Sequence, residues 1–406
     1  MKTGLLGRKL AHSYSPQIHA SFGDESYCLI EKEPEALSDF FDDFHYTGIN
    51  VTIPYKRDVI PYCDALSDSA ARMGAVNTIV RRDDGTLIGH NTDHFGFSDM
   101  VRHSGLSVYG KKVLVLGSGG ASLTAQKVLQ ELGANVVVIS RTGENNYTNL
   151  SKHTDAAVIV NCMPVGMYPN NCVSPLNLDL FPCLEGVLDM IYNPARTKLL
   201  IDAEKRGLIA KNGLWMLVAQ AKESAEWFRG TSLPDDIIGK VYTKLIRQME
   251  NLVLIGMPGS GKSTVGAILA RMMEKEFVDA DAEIIRQAGK SIPEIFAEGG
   301  EEAFRKIETE VLETLGKRSG LVIATGGGCV TRKENYPLLH QNSTIIWLQR
   351  DLSLLPTDGR PLSKAEGMDE MYRIRKPMYE AFCDMIADNS RTPKETAAFI
   401  AKGVSR

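Results

Sequence analysis

Paired cysteine motifs are missing from this 406-residue chain. Its seven cysteines, at 28, 63, 162, 172, 183, 329 and 383, form an odd count without a CxxC. That argues against a disulfide or zinc framework and suits reduced thiols in a cytosol. Long apolar runs are missing too: none approaches the ~20 residues that a membrane span needs. The opening residues, MKTGLLGRKLAHSYSP, hold no apolar signal core. A cytoplasmic protein with no membrane partner is therefore expected. Nor is there an excess of basic charge. Lys plus Arg number 46 against 50 Asp plus Glu, a net charge of -4, so no nucleic-acid partner is expected. Small basic clusters such as Lys111-Lys112 read as solvated surface. Low-complexity segments and short repeats do not occur. His90 and His94 lie four apart around Asp93, but no other ligand group accompanies them as a transition-metal site requires.

What is present is material for more than one core. The chain exceeds the size at which one typical core stops growing, and its 43% hydrophobic content fills several. Short apolar runs at 49–53, 112–116, 135–140, 156–161, 252–255, 321–324 and 344–348 read as strands. Amphipathic stretches at 122–132, 197–206, 215–228 and 264–275 read as helices. Their alternation predicts α/β architecture with parallel sheets covered by helices. Two glycine-rich strand-to-helix turns, at Gly117 and Gly256, divide the chain into two nucleotide-type parts. Between them, Leu233-Pro234 followed by 235–249 predicts a helix with a proline start and no flexible tether.

At the first turn, KKVLVLGSGGAS puts Gly117, Gly119 and Gly120 after a strand and before a helix. Small residues admit a pyrophosphate, and the helix start adds N–H donors. The spacing departs from GxGxxG, so a plain βα turn stays open on this segment alone. The next strand ends Ser140-Arg141-Thr142, a cation and two hydroxyls where an NAD site carries an acid. A 2′-phosphate, hence NADP(H), suits that end; an ordinary surface arginine is the alternative.

Upstream stand His12-Ser13-Tyr14-Ser15-Pro16, Asn50-Val51-Thr52-Ile53-Pro54-Tyr55-Lys56, Gly74-Ala75-Val76-Asn77-Thr78 and Asn91-Thr92-Asp93. Asn161-Cys162-Met163-Pro164-Val165-Gly166-Met167, Asp189-Met190-Ile191-Tyr192-Asn193-Pro194 and Gly213-Leu214-Trp215-Met216-Leu217 follow in order. Singly, Asn77 and Thr52 suit turn caps and Lys56 a solvated helix position. A lysine held by a carboxylate can also give a proton to a ketone oxygen as hydride arrives, and Lys56 with Asp93 is the candidate pair. As an ordered set the blocks resemble shikimate dehydrogenases over roughly residues 1–230. The resemblance implies that Ser13, Ser15, Thr52, Asn77, Tyr192 and Gln220 bind a polyhydroxy carboxylate. It implies NADP contacts at Gly117, Gly119, Gly120, Ala121, Ser140, Arg141, Thr142, Met190 and Gly213. The chain departs from the family twice. Asp93-His94-Phe95-Gly96 replaces Asp-Gly-x-Gly. Asn145 stands where the Asn-Arg-Thr-x-x-Arg/Lys pattern has its second cation, implying a weaker NADP preference.

The second turn, Gly256-Met257-Pro258-Gly259-Ser260-Gly261-Lys262-Ser263, fits G-x-x-x-x-G-K-[ST] in full. Backbone N–H groups there cradle phosphates, Lys262 reaches the β- and γ-phosphates, and the Ser263 hydroxyl ligates Mg²⁺. Asp279-Ala280-Asp281, Gly300-Glu301-Glu302-Ala303-Phe304-Arg305, Gly326-Gly327-Gly328, Arg360-Pro361-Leu362 and Arg375-Lys376-Pro377-Met378-Tyr379 follow. The segment from about 251 to 395 resembles shikimate kinases. That implies ATP contacts at Gly259, Ser260, Gly261, Lys262, Ser263, Thr264 and Arg360, and magnesium at Ser263 and Asp279. Asp281 takes the attacking hydroxyl's proton, Arg305 and Arg375 clamp a carboxylate, and Gly327 and Gly328 approach the substrate ring. Surface ion pairs are the alternative for each arginine. The lid before Arg360 is shorter than family lids and lacks their additional arginine.

The expectation is a fusion of two enzymes. Residues 1–97 with 213–233 form the substrate-binding α/β domain and 98–212 a Rossmann-like dinucleotide domain. A helical linker, 234–250, precedes a P-loop α/β kinase domain with a parallel sheet at 251–406. The first part reduces 3-dehydroshikimate with NADPH; the second phosphorylates shikimate with Mg·ATP. The assembly is a monomer or homodimer. Rival readings are an NAD-using quinate/shikimate dehydrogenase in the first part, or a shikimate sensor with one inactive half.

Overall fold

A computed structural model of the chain describes residues 2–10, 13–355 and 367–404. Packing divides it into two compact units, Met1–Asn193 with Leu199–Thr243, and Pro194–Lys198 with Lys244–Arg406.

The first unit contains two sheets. One is built from β1 (Thr3–Gly7), β2 (Cys28–Glu31), β3 (Gly48–Val51), β4 (Ala65–Leu66), β5 (Thr78–Arg81) and β6 (Leu87–His90) in the order β2-β1-β3-β5-β6-β4. This sheet is mixed, which alternation alone did not foretell: β5 runs antiparallel to both β3 and β6. For β5 and β6 the reason is the short connection after Arg81, where Gly85 at φ 88° closes a hairpin that needs no crossover helix. Helices α1 (Ser15–Ser21), α2 (Leu37–Asp42) and α3 (Asp68–Met73) accompany the sheet, and α4 (Asp93–Ser104) leaves it. The second sheet takes β7 (Lys112–Leu116), β8 (Asn135–Ile139), β9 (Val158–Asn161), β10 (Gly186–Asp189) and β11 (Ile209–Lys211), all parallel, as β11-β10-β9-β7-β8. Val113, Leu114, Val115 and Leu116 are each fully buried. Continuous apolar strands of this kind mark a parallel sheet covered on both faces. Strand order reverses between β7 and β9, so the crevice at their carboxyl ends is the natural ligand position. Helix α5 (Gly120–Glu131) follows β7, α6 (Lys198–Lys205) precedes β11, and α7 (Leu214–Arg229) follows it.

Helix α8 (Ile237–Met249) occupies the segment expected to be helical, and the division between units falls within it. It is no bare tether: Ile238, Val241 and Leu245, on one helical stripe, are buried. The second unit carries β12 (Asn251–Ile255), β13 (Glu276–Asp279), β14 (Leu321–Ala324), β15 (Ser343–Gln349) and β16 (Met385–Asp388), parallel throughout, as β13-β14-β12-β15-β16. Its helices are α9 (Lys262–Met272), α10 (Ala280–Ala288), α11 (Ile292–Lys317), α12 (Asn335–His340), α13 (Met368–Phe382) and α14 (Pro393–Val404). Among the described residues no helix is long and apolar enough to cross a membrane.

One buried base makes the first unit acid-sensitive. His19, on α1, is fully buried and stacks on Tyr27 with ring centroids 3.9 Å apart. Burial pushes its imidazole down from 6.5 to about 3, with Asp24 opposing only in part. Between those values the unfolded chain holds a proton that the folded chain refuses. Stability is therefore complete above 6.5 and is lost as pH falls towards 3, by at most ~1.4 kcal/mol per pH unit from this one group. Hydrogen exchange of β1 and β3 amides, corrected for intrinsic rates at pH 7 and 5.5, is expected to show this loss. His19→Phe is expected to shrink it; an equal loss in both proteins would reject the role of His19.

Candidate active sites

In the first unit, β3 delivers the turn that carries Lys56, and α4 begins at Asp93. The turn is anchored by Tyr55, whose hydroxyl donates to Lys32 O, and by Val76 N, which donates to Lys56 O at 2.7 Å. Lys56 Nζ donates to Asp93 Oδ2 at 2.6 Å, and Asn77 Nδ2 donates to Asp93 Oδ1 at 2.9 Å. A carboxylate at the first helical position is also favoured by the helix dipole. The lysine side chain keeps 30% of its exposure and the aspartate 17%, so the pair is held by protein yet reachable by a small molecule.

Around it, Thr92 Oγ1 donates to Gln220 Oε1 at 3.3 Å, which brings α7 to the pair. Close packing of α4 on α7 depends on Gly96, because a Cβ there would lie 2.8 Å from Met216 O and 2.9 Å from Gln220 Cβ. Ser13 and Ser15 sit together at the start of α1, the Ser13 hydroxyl accepting from Ser15 N at 3.2 Å. Thr52 follows β3 directly. Tyr192, in the loop after β10, meets the edge of Tyr14 with ring centroids 6.1 Å apart, and burial pushes its phenol up. His12 lies outside the described residues.

The first glycine turn follows β7. Gly117 adopts φ 107°, and Ser122 Oγ donates to its carbonyl at 2.7 Å. Gly119 caps α5, which then runs through Gly120 and Ala121. No heavy atom lies within 4 Å of a Cβ placed on Gly119 or Gly120, so that side of the helix start is open to a phosphate. On the neighbouring strand's end, Ser140 Oγ accepts from Gly143 N at 3.0 Å. Arg141 and Thr142 are exposed, and Arg141 has no hydrogen bond or ion pair among the described residues. Gly213 N donates to Ile191 O at 3.1 Å beside Met190, whose carbonyl leaves no room for a Cβ at 213. His94, where the dehydrogenase pattern has glycine, sets Nε2 2.6 Å from Glu131 Oε2 at the far end of α5. It is braced away from Asp93 rather than set beside it as a ligand. Among the described residues no cluster of His, Cys, Asp and Glu could hold a metal by itself.

The second unit assembles the other set. The loop from Gly256 to Gly261 uses φ 144°, 83° and 93° at its three glycines, which turn its backbone around the helix start. Lys262 Nζ donates to the carbonyls of Gly256 and Met257, 2.9 Å each. The Ser260 hydroxyl is buried without a hydrogen-bond partner, an orphan that an added oxygen ligand would satisfy. Asn389 Nδ2 donates to Ser260 O at 2.7 Å and ties the loop to the end of β16. Ser263 Oγ donates to Asp279 Oδ2 at 2.6 Å, while Asp279 Oδ1 accepts from Asp281 N at 3.0 Å and caps α10. Hydroxyl and carboxylate oxygens side by side are the hard donors that Mg²⁺ prefers, with waters and phosphates completing its shell. Thr264 is exposed on the next position of α9.

Across the crevice, a Cβ on Gly326 would lie 2.7 Å from Glu308 Oε1 and 2.9 Å from Asp281 Oδ1. Gly328 faces the Arg305 guanidinium so closely that no Cβ fits. Arg305 is buried and paired with Glu308 at 2.7 Å and Glu301 at 3.0 Å. Burial pushes the Glu308 carboxyl up, with Arg305 opposing. Arg375 Nη1 donates to Gly327 O at 3.2 Å, and Tyr379 OH donates to the same carbonyl. Arg360 lies outside the described residues. Glu308 and Asn389 are not among the residues that the sequence motifs single out. The spacing of Glu308 three residues after Arg305 was the available signal, since such pairs meet on one helix face.

Comparison with known proteins finds relatives for both parts of the chain. The family described as shikimate dehydrogenase substrate binding domain matches residues 5–79, and the family described as shikimate kinase matches 258–404. The shikimate dehydrogenase (NADP(+)) of Clostridium beijerinckii is 32% identical over 260 residues, covering 59% of this chain and 96% of that protein. The crystal structure of shikimate dehydrogenase 1 from Peptoclostridium difficile is 34% identical, with a TM-score of 0.56 over 60% of this chain and 98% of that one. Shikimate 5-dehydrogenase from Thermus thermophilus, solved with NADP(H) and shikimate, is 31% identical, with a TM-score of 0.54 over 60% and 99%.

Proposed function

Because the chain belongs to the shikimate dehydrogenase family in its N-terminal part and carries a shikimate kinase domain after it, we propose that one polypeptide catalyses two successive steps. It reduces 3-dehydroshikimate to shikimate with NADPH and then phosphorylates the 3-hydroxyl of shikimate with Mg·ATP. The observation that carries this reading is that each unit holds its own reactive pair: Lys56 on Asp93 in one, and Ser263 on Asp279 beside the P-loop in the other.

In the first unit a nicotinamide dinucleotide, when held there, would supply the hydride for the ketone carbon. The carbonyl oxygen gains a proton from Lys56 Nζ, which Asp93 holds in place, and the amine is reprotonated from solvent. Ser13, Ser15, Thr52, Asn77, Tyr192 and Gln220 bind the acid and its hydroxyls. The open helix start at Gly119-Gly120 suits a pyrophosphate, with Ala121, Ser140, Thr142, Met190 and Gly213 lining the remainder. The substrate part is 1–97 with 213–233, and the dinucleotide part 98–212. In the second unit, the loop amides from Gly259 to Thr264 and Lys262 hold the phosphates, and Ser263 and Asp279 hold magnesium. Asp281 accepts the proton of the attacking hydroxyl. Arg305 and Arg375 face the carboxylate, with Gly327 and Gly328 beneath the ring. A coupled assay tests the whole reading. Dehydroshikimate with NADPH must yield shikimate, and Mg·ATP must then yield ADP and shikimate 3-phosphate. Absence of either product refutes that half.

NADP preference rests on Arg141, which is exposed and uncommitted at the end of β8. A charge-assisted contact is worth ~1.5–3 kcal/mol, about ten- to a hundredfold. Arg141→Ala is expected to raise the KM for NADPH by that factor and to leave NADH turnover alone. Equal effects on the two cofactors would assign Arg141 to structure. A cytoplasmic location and a monomer or homodimer complete the proposal.

A further inference from the structure

A single buried hydroxyl joins the two sides of the dehydrogenase site. Ser224 is fully buried on α7, one turn beyond Gln220. Its Oγ donates to Gln220 O at 3.0 Å and accepts from Asn50 Nδ2 at 2.8 Å. Thr78 Oγ1 lies 2.9 Å from it and Thr92 Oγ1 3.1 Å. These partners come from β3, β5 and the start of α4, far from residue 224 in sequence.

The direction of the hydrogen bonds is set from the far end. The Asp93 carboxylate only accepts, so Asn77 turns its amide nitrogen to it and its Oδ1 to Thr92 N at 2.8 Å. Thr78 Oγ1 donates to the same Oδ1 at 3.1 Å. Asn50 Nδ2 then serves Thr78 Oγ1 at 3.0 Å as well as Ser224, while Asn50 Oδ1 accepts from Tyr27 OH at 2.8 Å. Ser224 has one hydrogen, given to Gln220 O, and accepts from Asn50 Nδ2. Removing the hydroxyl leaves Asn50 Nδ2 with Thr78 Oγ1 at 3.0 Å and Asn77 O at 3.3 Å, and breaks its bond to α7, which is then free to shift. Gln220 rides on that helix, its Oε1 already in contact with Thr92.

We propose that Ser224 is a positioning residue for the acid substrate. Its hydroxyl locks the helix bearing Gln220 onto the Asn77–Thr92–Asp93 side, and so fixes where Gln220 meets the substrate. The inference rests on the dehydrogenase reading.

The test uses the full chain with Ser224→Ala and Ser224→Cys. Cysteine keeps a γ atom of similar bulk but bonds weakly through hydrogen. Both variants are expected to raise the KM for shikimate about tenfold, equivalent to ~1.4 kcal/mol. The KM for NADP and NADPH binding by fluorescence should not change. A packing role would spare the cysteine variant, so a wild-type shikimate KM in Ser224→Cys overturns the proposal. So does an unchanged KM in Ser224→Ala. If the alanine variant no longer binds NADPH it has lost its fold, and the cysteine variant decides. Wild-type protein without shikimate-dependent NADP reduction overturns the dehydrogenase reading and this inference together. An active wild type with unmoved variants overturns this inference alone.

Discussion

Lys56→Ala is expected to lower NADPH-dependent reduction of dehydroshikimate by ~10²–10⁴, the range a positioned proton donor contributes, while shikimate-dependent ADP formation stays at its wild-type rate. The asymmetry follows from placement. Lys56 stands in the first compact unit, on the turn after β3, and its charge is met by Asp93 at 2.6 Å. The P-loop lies in the second unit. Truncation leaves Asp93 with Asn77 at 2.9 Å and Asn91 Oδ1 still accepting from Asp93 N at 3.1 Å, so the start of α4 retains its supports. NADPH binding, which the proposal assigns to the turn at Gly117 and the end of β8, should survive and serves as the control for folding. Steady-state rates of both reactions on one preparation decide the matter. Loss of ADP formation along with reduction, in a variant that still binds NADPH, would show that the two activities share a site. A rate of reduction within a factor of two or so of wild type would place the proton donor elsewhere, since a lost general acid costs at least ~10².

How much of this could be read beforehand depends on distance along the chain. Strand β7 runs from Lys112 to Leu116, the limits its apolar run predicts, because a buried parallel strand declares itself by composition. The loop from Gly256 to Ser263 was equally plain: its chemistry lies within eight consecutive residues. Lys56 and Asp93 are different. They meet at 2.6 Å across 37 residues, and no periodicity connects them; only the ordered family blocks put them side by side. The antiparallel direction of β5 is not legible because an apolar run does not encode direction, and its pairing with β6 is set by the short hairpin at Gly85. Ser224 was invisible for a further reason. Its partners Asn50 and Thr78 lie 174 and 146 residues away, and a serine in a helix reads as an ordinary polar residue until they arrive. His94 was legible as a departure from a pattern, yet its partner Glu131, at the other end of the dinucleotide helix, was not. Residues near in sequence announce a site, and the buried polar contacts that hold it rigid come from afar.

The converse substitution separates the activities from the other side. Lys262→Met is expected to lower phosphorylation of shikimate by on the order of 10²–10³, as loss of a preorganised charge on a transferring group does, and to leave reduction of dehydroshikimate intact. Lys262 is buried at the start of α9, and its ammonium spans the carbonyls of Gly256 and Met257 at 2.9 Å each. Two of its contacts at the mouth of the loop are thus neutral carbonyls, weaker acceptors than a phosphate oxygen carrying full charge. Methionine retains the apolar stem that fills this position and removes only the charge, so the loop should keep its shape through the glycines and the Asn389–Ser260 bond at 2.7 Å. Lys262→Arg should not rescue the rate: a planar five-donor fork does not replace a compact ammonium between two carbonyls set for one nitrogen. The Ser263–Asp279 contact at 2.6 Å does not involve Lys262, so magnesium should still bind. The expected pattern is therefore a large fall in kcat with ADP binding retained. Full phosphorylation by Lys262→Met, at any ATP concentration, would remove Lys262 from the reaction. Loss of both activities in a folded variant would contradict two independent sites.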